Sequence, residues 1–321
     1  MTLGQLRSFA TVARLGSVKA AAKELGVSEP AVSEAVKALR LDLGDDLFVR
    51  GNGGIVLTPG GQRLAGAAAE ILGIADQARR AVREAQGERA LLRVATTATV
   101  AEHVVAPLID AFRRRTPHVE VSVEVEAAGA FADLIGDRRA DIVLGPRPAA
   151  QSALGLESVP FLRYRLIVVA ARGHRLAGRS DVAPSALAGE RWLVGPSSAD
   201  PANAVGAFLA RHRVAPPEVH AYASEAAALA ATEAGHGIAL AVAHTVGDPL
   251  RRGDLARLDI RGTPVQGLWH ATSLPPDRRT PAAWALMRFV ATPEAVQAML
   301  SGGAGVPAGR FRAGTYVTLW S

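Results

Sequence analysis

The chain of 321 residues contains no cysteine. This absence excludes disulfide bonds, thiolate nucleophiles, thiol redox sensing and every cysteine-ligated zinc or iron–sulfur site. The eight histidines stand singly, and none belongs to an HExxH or HxH motif. We therefore expect neither a dedicated metal site nor a cofactor.

Catalytic motifs are missing as well. The sequence has no GxSxG elbow, no P-loop and no complete GxGxxG, and residues 235–237 (GHG) follow a predicted helix rather than the strand that a dinucleotide loop requires. We expect that the protein is not an enzyme. An enzyme with an appended helical domain stays open as an alternative, and turnover of a metabolite is the observation that would support it.

Long hydrophobic runs are also lacking. The apolar segment Ala234–Val246 is free of Lys, Arg, Asp and Glu, and it is shorter than the roughly 18–20 apolar residues of a membrane-spanning helix. Basic residues interrupt the first apolar runs, so no hydrophobic region of a secretory signal is visible there. We expect a cytoplasmic protein that does not contact a membrane.

The charge balance shows little excess of one sign in the first 58 residues. The whole chain has 36 Lys and Arg against 30 Asp and Glu, a net charge of +6. Residues 1–58, however, hold seven basic and six acidic residues, which gives only +1. An inference of nucleic-acid binding must therefore rest on sequence pattern and not on charge.

The first 58 residues predict three short helices. Gly16 and Gly26 are placed to end the first two, and Ser17 and Ser28 are placed to cap the second and third, with Pro30 in the first turn of the third. The spacing predicts that one face of the third helix is buried, namely Val32, Ala35, Val36 and Leu39, and that the other projects outward, namely Glu29, Ser33, Glu34 and Lys37.

A hairpin and a long helix are predicted next. Residues 47–50 and 55–57 are short apolar runs separated by a Gly-Asn-Gly-Gly turn, so they predict a wing directly after a helix-turn-helix. A helix then runs from Pro59 to about Gly87. Its heptad seam predicts pairing with a second copy of the same helix, the alternative being that it packs on its own domain. The seam consists of Leu64, Ala68, Ile71, Ala75, Ala78 and Val82.

From about residue 90 the pattern changes to alternating strands and helices. This order predicts α/β lobes with parallel strands. A second such set interrupts the first, so we predict a lobe I of residues 90–163 and 264–300, a lobe II of residues 164–263 and a C-terminal tail of residues 301–321.

Polar residues follow several of these strands, where ligands bind in open α/β sheets. Hydroxyl groups and free N–H groups at helix starts could hold a small anion such as a carboxylate. The alternative for each single Ser or Thr is a plain helix cap. The candidate effector residues of this kind are Thr97, Thr99, Arg147, Ser197, Ser198, Ser224 and His244.

The amino-terminal sequence closely resembles the winged helix-turn-helix of LysR-type transcriptional regulators. The resemblance rests on residues 17–33 (SVKAAAKELGVSEPAVS), Leu43-Gly44, Leu47–Arg50 and Leu57–Gly60, and it extends to residues 140–144 (ADIVL) and 235–240 (GHGIAL). It therefore covers most of the chain.

The resemblance implies a fold and a function. The fold is a winged helix-turn-helix of residues 1–58, a linker and dimerisation helix of residues 59–88, and a two-lobed α/β effector domain of residues 90–300, of the type 2 periplasmic-binding-protein kind. The function is that of a cytoplasmic bacterial regulator that binds operator DNA, forms a homodimer or homotetramer, recruits RNA polymerase and senses a small-molecule co-inducer between the lobes.

The resemblance, with the outward face, also indicates DNA-binding residues. Phosphate contacts are expected from Arg7, Lys19, Lys37 and Arg50, and base contacts from Glu29, Pro30, Ser33 and Glu34, with Ser17 and Ser28 at the helix starts. A solute-binding protein and a ligand-independent DNA-binding protein are the remaining alternatives.

Two departures from the family pattern matter. The family usually has Gln at the position of Glu29 and a basic or amide residue at that of Glu34, so the reading face carries two extra carboxylates. A Glu can accept a hydrogen bond from cytosine N4, which predicts an unusual half-site. At Ala128-Gly129, where relatives often have polar side chains, only the backbone of Gly129 is expected to face the effector.

Overall fold

The computed structural model describes residues 1–51, 54–148, 154–199, 204–213 and 218–301. It divides into two compact units, the first of residues Met1–Ala90 with Gly136–Arg139 and the second of Leu91–Ile135 with Ala140 onward. None of the described helices combines the length and the apolar character needed to cross a membrane. The predicted tail lies outside the described residues.

The first unit begins with three helices, as the sequence predicts. They are α1 (Leu3–Leu15), α2 (Val18–Leu25) and α3 (Glu29–Leu43). Each is followed by a glycine with a positive φ of 63° to 67°, a conformation that favours glycine. The hydroxyls of Ser17 and Ser28 accept backbone N–H groups at the starts of α2 and α3.

The wing and the long helix complete this unit. Strands β1 (Phe48–Gly51) and β2 (Gly54–Leu57) pair antiparallel, and α4 runs over Pro59–Ala85. Thr58 accepts the N–H of Gly61 and donates to Asp45, which ties the start of α4 to the loop before the wing. The core of the unit contains Leu6, Phe9, Val12, Ala21, Val32, Leu39, Phe48 and Ala68.

The second unit is built on a sheet of nine described strands in the order β4-β3-β5-β11-β6-β9-β7-β8, with β10 pairing to β6. The strands are β3 (Ala90–Thr96), β4 (Val119–Val125), β5 (Ile142–Gly145), β6 (Glu157–Ala171), β7 (Trp192–Val194), β8 (Val219–Ala221), β9 (Ile238–Val242), β10 (Leu255–Leu258) and β11 (Val265–Ser273).

Helices connect these strands. A continuous helical segment after β3 consists of α5 (Ala98–Val100), a π-helical turn (Ala101–Val105) and α6 (Ala106–Arg115). The remaining helices are α7 (Phe131–Gly136), α8 (Ala204–Arg211), α9 (Glu225–Glu233), α10 (Gly247–Arg252), α11 (Pro281–Val290) and α12 (Pro293–Ser301). Short 3₁₀ turns lie at Ala128–Ala130, Pro184–Leu187 and Pro196–Ala199.

Two long strands join the halves of the sheet. The N-terminal part of β6 pairs antiparallel with β11, its C-terminal part pairs antiparallel with β9, and the end of β11 pairs with β5. On either side the pairing is parallel, between β3 and β5 and between β7 and β9. The prediction of parallel βα units is confirmed there. The observed fold is the predicted two-lobed α/β architecture, which follows a helix-turn-helix along the chain.

Part of this sheet does not follow from the local sequence pattern. The uninterrupted apolar run predicts a strand over residues 166–170, whereas β6 begins at Glu157, because Pro160, Arg163 and Arg165 interrupt the apolar residues before it. The two arginines lie on the exposed side of the strand while Phe161, Leu162 and Tyr164 are buried. Elements α10, β10 and α12 were not predicted either. At six and four residues, α10 and β10 are too short to show a clear periodicity.

Candidate functional site

The outer face of α3 is polar and open to solvent. Glu29, Pro30, Ser33, Glu34 and Lys37 are all exposed. The opposite face is buried in the core of the first unit, as the spacing predicts. Lys37 lies one turn after Glu34, and its ammonium is 3.5 Å from the Glu34 carboxylate. This face therefore presents hydrogen-bonding groups, while the opposite face fixes the helix by packing into the core.

The other residues predicted to contact DNA differ in how free they are. Lys19 is exposed on α2. Arg7 is exposed on α1, and its guanidinium is 3.4 Å from the Asp76 carboxylate on α4. Ser17 and Ser28 use their hydroxyl oxygens as helix caps. Arg50 lies in β1, and its side chain is outside the described part of the chain.

The seam of α4 divides into a packed part and an exposed part. Ala68 is fully buried, and Leu64 packs against the same core. Beyond this point Ile71 is 37% exposed and Val82 is 60% exposed, and Ala78 is exposed while Ala75 is half-buried. Ala68 therefore packs on its own unit, which was the alternative for the seam, and the surface open to a second copy begins at Ile71.

A cluster of polar groups lies where β3, β5 and β11 meet. Thr97, which follows β3, is buried, and its Oγ1 has no hydrogen-bond partner among the described residues. Gly145 ends β5, and a Cβ atom there would lie 2.9 Å from the Phe131 ring and 3.5 Å from Thr97. Only glycine fits at this position, and Gly145 is buried beside the Thr97 side chain.

His270 and Arg147 complete this cluster. His270 pairs with Gly145 across the β5–β11 ladder, and its buried Nδ1 has no hydrogen-bond partner in the part of the chain that the structure describes. Burial and the positive charge of Arg147 lower the pKa of His270 below its ordinary value, although the backbone of Leu268 opposes the shift. We name the set of Thr97, Gly145, Arg147 and His270 the β5-end cluster.

A narrow cavity lies between the segment that follows β3 and the elements β7, β9 and α9. Its volume is 20 Å³, enough for about one water molecule. Its polar lining comes from Thr99 and His103 of the segment after β3, from Glu225 of α9 and from Thr245. The remaining lining is apolar and comes from β6, β7, β9, α8 and α9.

Two histidines near this cavity have lowered pKa values. Burial lowers the pKa of His244 to about 4, and the nearby His103 acts in the same direction. Burial also lowers the pKa of His103, although the carboxylates of Glu102 and Glu225 oppose the shift. Both imidazoles are therefore neutral near pH 7, and the Nε2 atom of His244 is buried with no partner among the described residues.

The remaining predicted effector residues have local roles or lie at the surface. Ser224 caps α9 by accepting the N–H of Ala227 at 3.0 Å, and Ser198 donates to the carbonyl of Gly195 at 3.0 Å. Gly129 is exposed in a 3₁₀ turn. Ser197 lies in the 3₁₀ turn Pro196–Ala199, and its side chain is outside the described part.

Comparison with known proteins identifies both units. Residues 3–62 match the family model for the bacterial regulatory helix-turn-helix protein of the lysR family, and residues 85–293 match the model for the LysR substrate binding domain. The chain belongs to the LysR family. It is a transcriptional regulator with a helix-turn-helix and a substrate-binding domain, as the resemblance implied.

Several proteins are similar over most of this LysR-family chain. An uncharacterized HTH-type transcriptional regulator of Mycobacterium tuberculosis is 38% identical over 325 residues, which cover 100% of each chain. The structure of full-length CbnR complexed with its target DNA has 23% identity and a TM-score of 0.56, covering 90% of this chain and 99% of that one. The Synechocystis PCC6803 CcmR regulatory domain in complex with 2-PG has 24% identity and a TM-score of 0.52, covering 63% and 96%.

Three residues of the polar clusters in this LysR-family regulator were not predicted from the sequence, namely His270, Glu102 and Glu225. His270 lies in a strand whose partner is far away in the chain, and Glu102 and Glu225 lie within helices like ordinary surface residues. No local pattern distinguishes them. The one available signal is that each lies within a turn or two of a predicted strand end.

Proposed function

We propose that the chain reads operator DNA with the outer face of α3 in the major groove. The observation that carries this proposal is the arrangement of α3 itself: its exposed face is polar, its buried face is apolar, and α1 and α2 pack behind it. A helix held in this way can enter the groove with its first turns. Glu29, Ser33 and Glu34 would then meet base edges.

Phosphate contacts would surround these base contacts. Lys19 and Lys37 are exposed on α2 and α3, and Arg7 is exposed on α1. Arg7 and Lys37 each lie near a carboxylate, and exposed ion pairs of this kind contribute little to stability. Replacing these carboxylates by DNA phosphates would therefore cost little free energy. The Ser17 and Ser28 caps would fix the first turns of α2 and α3.

The effector is proposed to be a small anion bound at the β5-end cluster. Buried polar atoms normally have partners, and this cluster holds two that have none among the described residues, the hydroxyl of Thr97 and Nδ1 of His270. Arg147 adds a positive charge nearby. A carboxylate could accept hydrogen bonds from the hydroxyl, the imidazole and the guanidinium together.

The lobe boundaries at residues 163–164 and 263–264 remain part of this proposal, with the effector between the lobes. The same holds for assembly through α4 into a homodimer or homotetramer and for the recruitment of RNA polymerase. We further propose that the chain catalyses no reaction. Membership in a family of regulators favours this over the enzyme alternative.

Binding of the full-length protein to the DNA upstream of its own gene tests the proposal. We expect a mobility shift that weakens as salt rises and footprint protection of an interrupted palindrome. Lys19→Ala should weaken binding to all sequences and reduce the salt slope by about one. Lys23→Ala, an exposed lysine later in α2, is the matched control. Absence of any preference over competitor DNA would contradict the proposal.

The effector site has its own experiment. Small carboxylates are screened by the shift that they cause in the thermal unfolding of the protein. Arg147→Gln should abolish the response to an active carboxylate, whereas Arg163→Gln, an exposed arginine on β6, should leave it unchanged. Equal responses of both variants would exclude the β5-end cluster as the anion site.

A further inference from the structure

The side chain of Glu102 joins two parts of the sheet domain that are far apart in the chain. Glu102 lies in the π-helical turn after β3. Its Oε1 accepts the backbone N–H of Glu225 at 3.1 Å, and its Oε2 accepts the N–H of Ala226 at 3.2 Å. The two residues that donate are the first of α9.

The chemistry of a helix start explains these bonds. The first N–H groups of a helix have no partner within the helix, and the helix dipole favours a negative charge beside them. Ser224 accepts the third of these groups, the N–H of Ala227. Glu102 accepts the first two, so a carboxylate of the chain itself occupies the place where an anionic ligand would sit.

A second contact runs in the opposite direction. The hydroxyl of Thr99, one turn before Glu102, donates to Oε1 of Glu225 at 3.4 Å. The Glu225 carboxylate lies so close to Gly195 that a Cβ at residue 195 would clash with it. Glu102, in the segment that follows β3, therefore contacts the backbone of α9. Glu225, the first residue of α9, in turn contacts Thr99 of that segment.

These two elements belong to opposite ends of the sheet. The segment Ala98–Arg115 follows β3, which pairs with β5. Helix α9 lies between β8 and β9, and these strands belong to the part of the sheet on the far side of β6. In the part of the chain that the structure describes, the narrow cavity is lined from both elements, by Thr99 and His103 on one side and Glu225 on the other.

We propose that Glu102 is an intramolecular clasp that holds the two halves of the sheet domain closed. Any movement that separates the segment after β3 from α9 must break both of its hydrogen bonds and expose the N–H groups of Glu225 and Ala226. The clasp sets the balance between closed and open forms without a bound effector. This inference does not depend on which anion the β5-end cluster binds.

Amide hydrogen exchange of the full-length protein tests the clasp directly. The variants are Glu102→Ala, which removes the carboxylate, and Glu102→Gln, which keeps its size without its charge. Asp110→Ala on the exposed face of α6 is the matched control. Mass spectrometry of overlapping peptides over residues 218–233 follows the exchange at the start of α9.

We expect exchange at the start of α9 to be at least tenfold faster in Glu102→Ala, less strongly accelerated in Glu102→Gln, and unchanged in Asp110→Ala. High salt should accelerate exchange in the parent protein and have little effect in Glu102→Ala, because salt screens an exposed charge interaction. Equal exchange in the parent and both Glu102 variants would overturn the proposal.

A distance measurement separates closure from local capping. Because the chain has no cysteine, Arg114→Cys on α6 and Glu233→Cys on α9 can be spin-labelled without background. We expect a longer and broader distance distribution when Glu102→Ala is added. An unchanged distribution together with faster exchange would overturn the clasp and leave Glu102 as a helix cap only.

Discussion

At the scale of single residues, the exposed face of α3 carries two carboxylates and one ammonium group. Glu34 and Lys37 lie 3.5 Å apart with more than half of each side chain exposed. Such a pair contributes about 0–1 kcal/mol to stability. Each side chain can therefore leave this ion pair and contact DNA instead at little cost in stability. We expect Glu34 to act in sequence recognition rather than in folding.

Substitution of Glu34 tests this role. If Glu34 accepts from cytosine N4, Glu34→Gln should shift the preference at one base pair toward adenine, and Glu34→Ala should relax it, each change amounting to about 1–3 kcal/mol. Binding to a set of operator variants measures the preference. Asp46→Asn removes the same charge from an exposed residue of the same unit and serves as the control. Identical relative preferences in the parent and both Glu34 variants would rule out a role in readout.

His244 makes the stability of the second unit depend on pH. Its pKa of about 4 in the folded protein lies below the ordinary value of 6.5. The unfolded chain therefore binds more protons below pH 6.5, and stability present above pH 6.5 is lost as the pH falls toward 4. We expect a loss of about 2 kcal/mol between pH 7 and pH 5 from this group.

Urea unfolding of the parent protein and of His244→Gln at both pH values measures this contribution. The loss should be smaller in His244→Gln and unchanged in His220→Gln, whose imidazole is exposed. The neighbouring His103 has a pKa shifted in the same direction, so some loss should persist without His244. The same pH dependence in all three proteins would contradict the assignment.

At the scale of elements, α3 shows how position along a helix separates structural from exposed residues. Leu39 is fully buried in the core of the first unit. Leu41, two residues further and about half a turn away, is 79% exposed. Residues of one type on one helix thus have different roles, because a helix of 3.6 residues per turn directs them to opposite sides.

This difference predicts unequal effects of the same substitution. Leu39→Ala should lower the free energy of unfolding of the first unit by about 2–5 kcal/mol, since it leaves a cavity in a packed core. Leu41→Ala should change it by no more than about 0.5 kcal/mol. Thermal and urea unfolding followed by circular dichroism measure both variants. Similar losses in the two would show that α3 packs differently.

At the scale of the whole molecule, α4 carries an apolar surface that its own chain leaves exposed. Ile71, Ile74 and Val82 are 37%, 47% and 60% exposed, at spacings close to a helical stripe. A stripe of this kind on a long helix suits pairing with a second copy of the helix. Ala68 is already buried within the same chain, so the exposed part of the seam is shorter than the full heptad pattern.

Ile71→Asp should break this pairing, because a buried carboxylate without a partner is costly. We expect light scattering to give the mass of one chain and operator binding to fall strongly, since both half-sites are then no longer bound together. Gln62→Asp, an exposed residue of the same helix about half a turn around from Ile71, should keep the parent mass. An unchanged mass for Ile71→Asp would place the interface elsewhere.

Features that depend on neighbours within a few residues follow from the local sequence. Ser17 and Ser28 cap helices, Gly16 and Gly26 end them, and the face of α3 follows from its periodicity. These contacts close within one turn of chain, so the local sequence contains all of the information. The same holds for the motifs that carried the family resemblance.

Features that join distant segments depend on the packing of the whole domain. Tertiary packing extended β6 to Glu157 and paired it with β11, placed His270 opposite Gly145, and buried Ala68 in the core of the first unit. It also brought Glu102 to the start of α9, across 123 positions of chain. A local pattern cannot specify such pairs, because the two members share no periodicity and meet only after the sheet has formed.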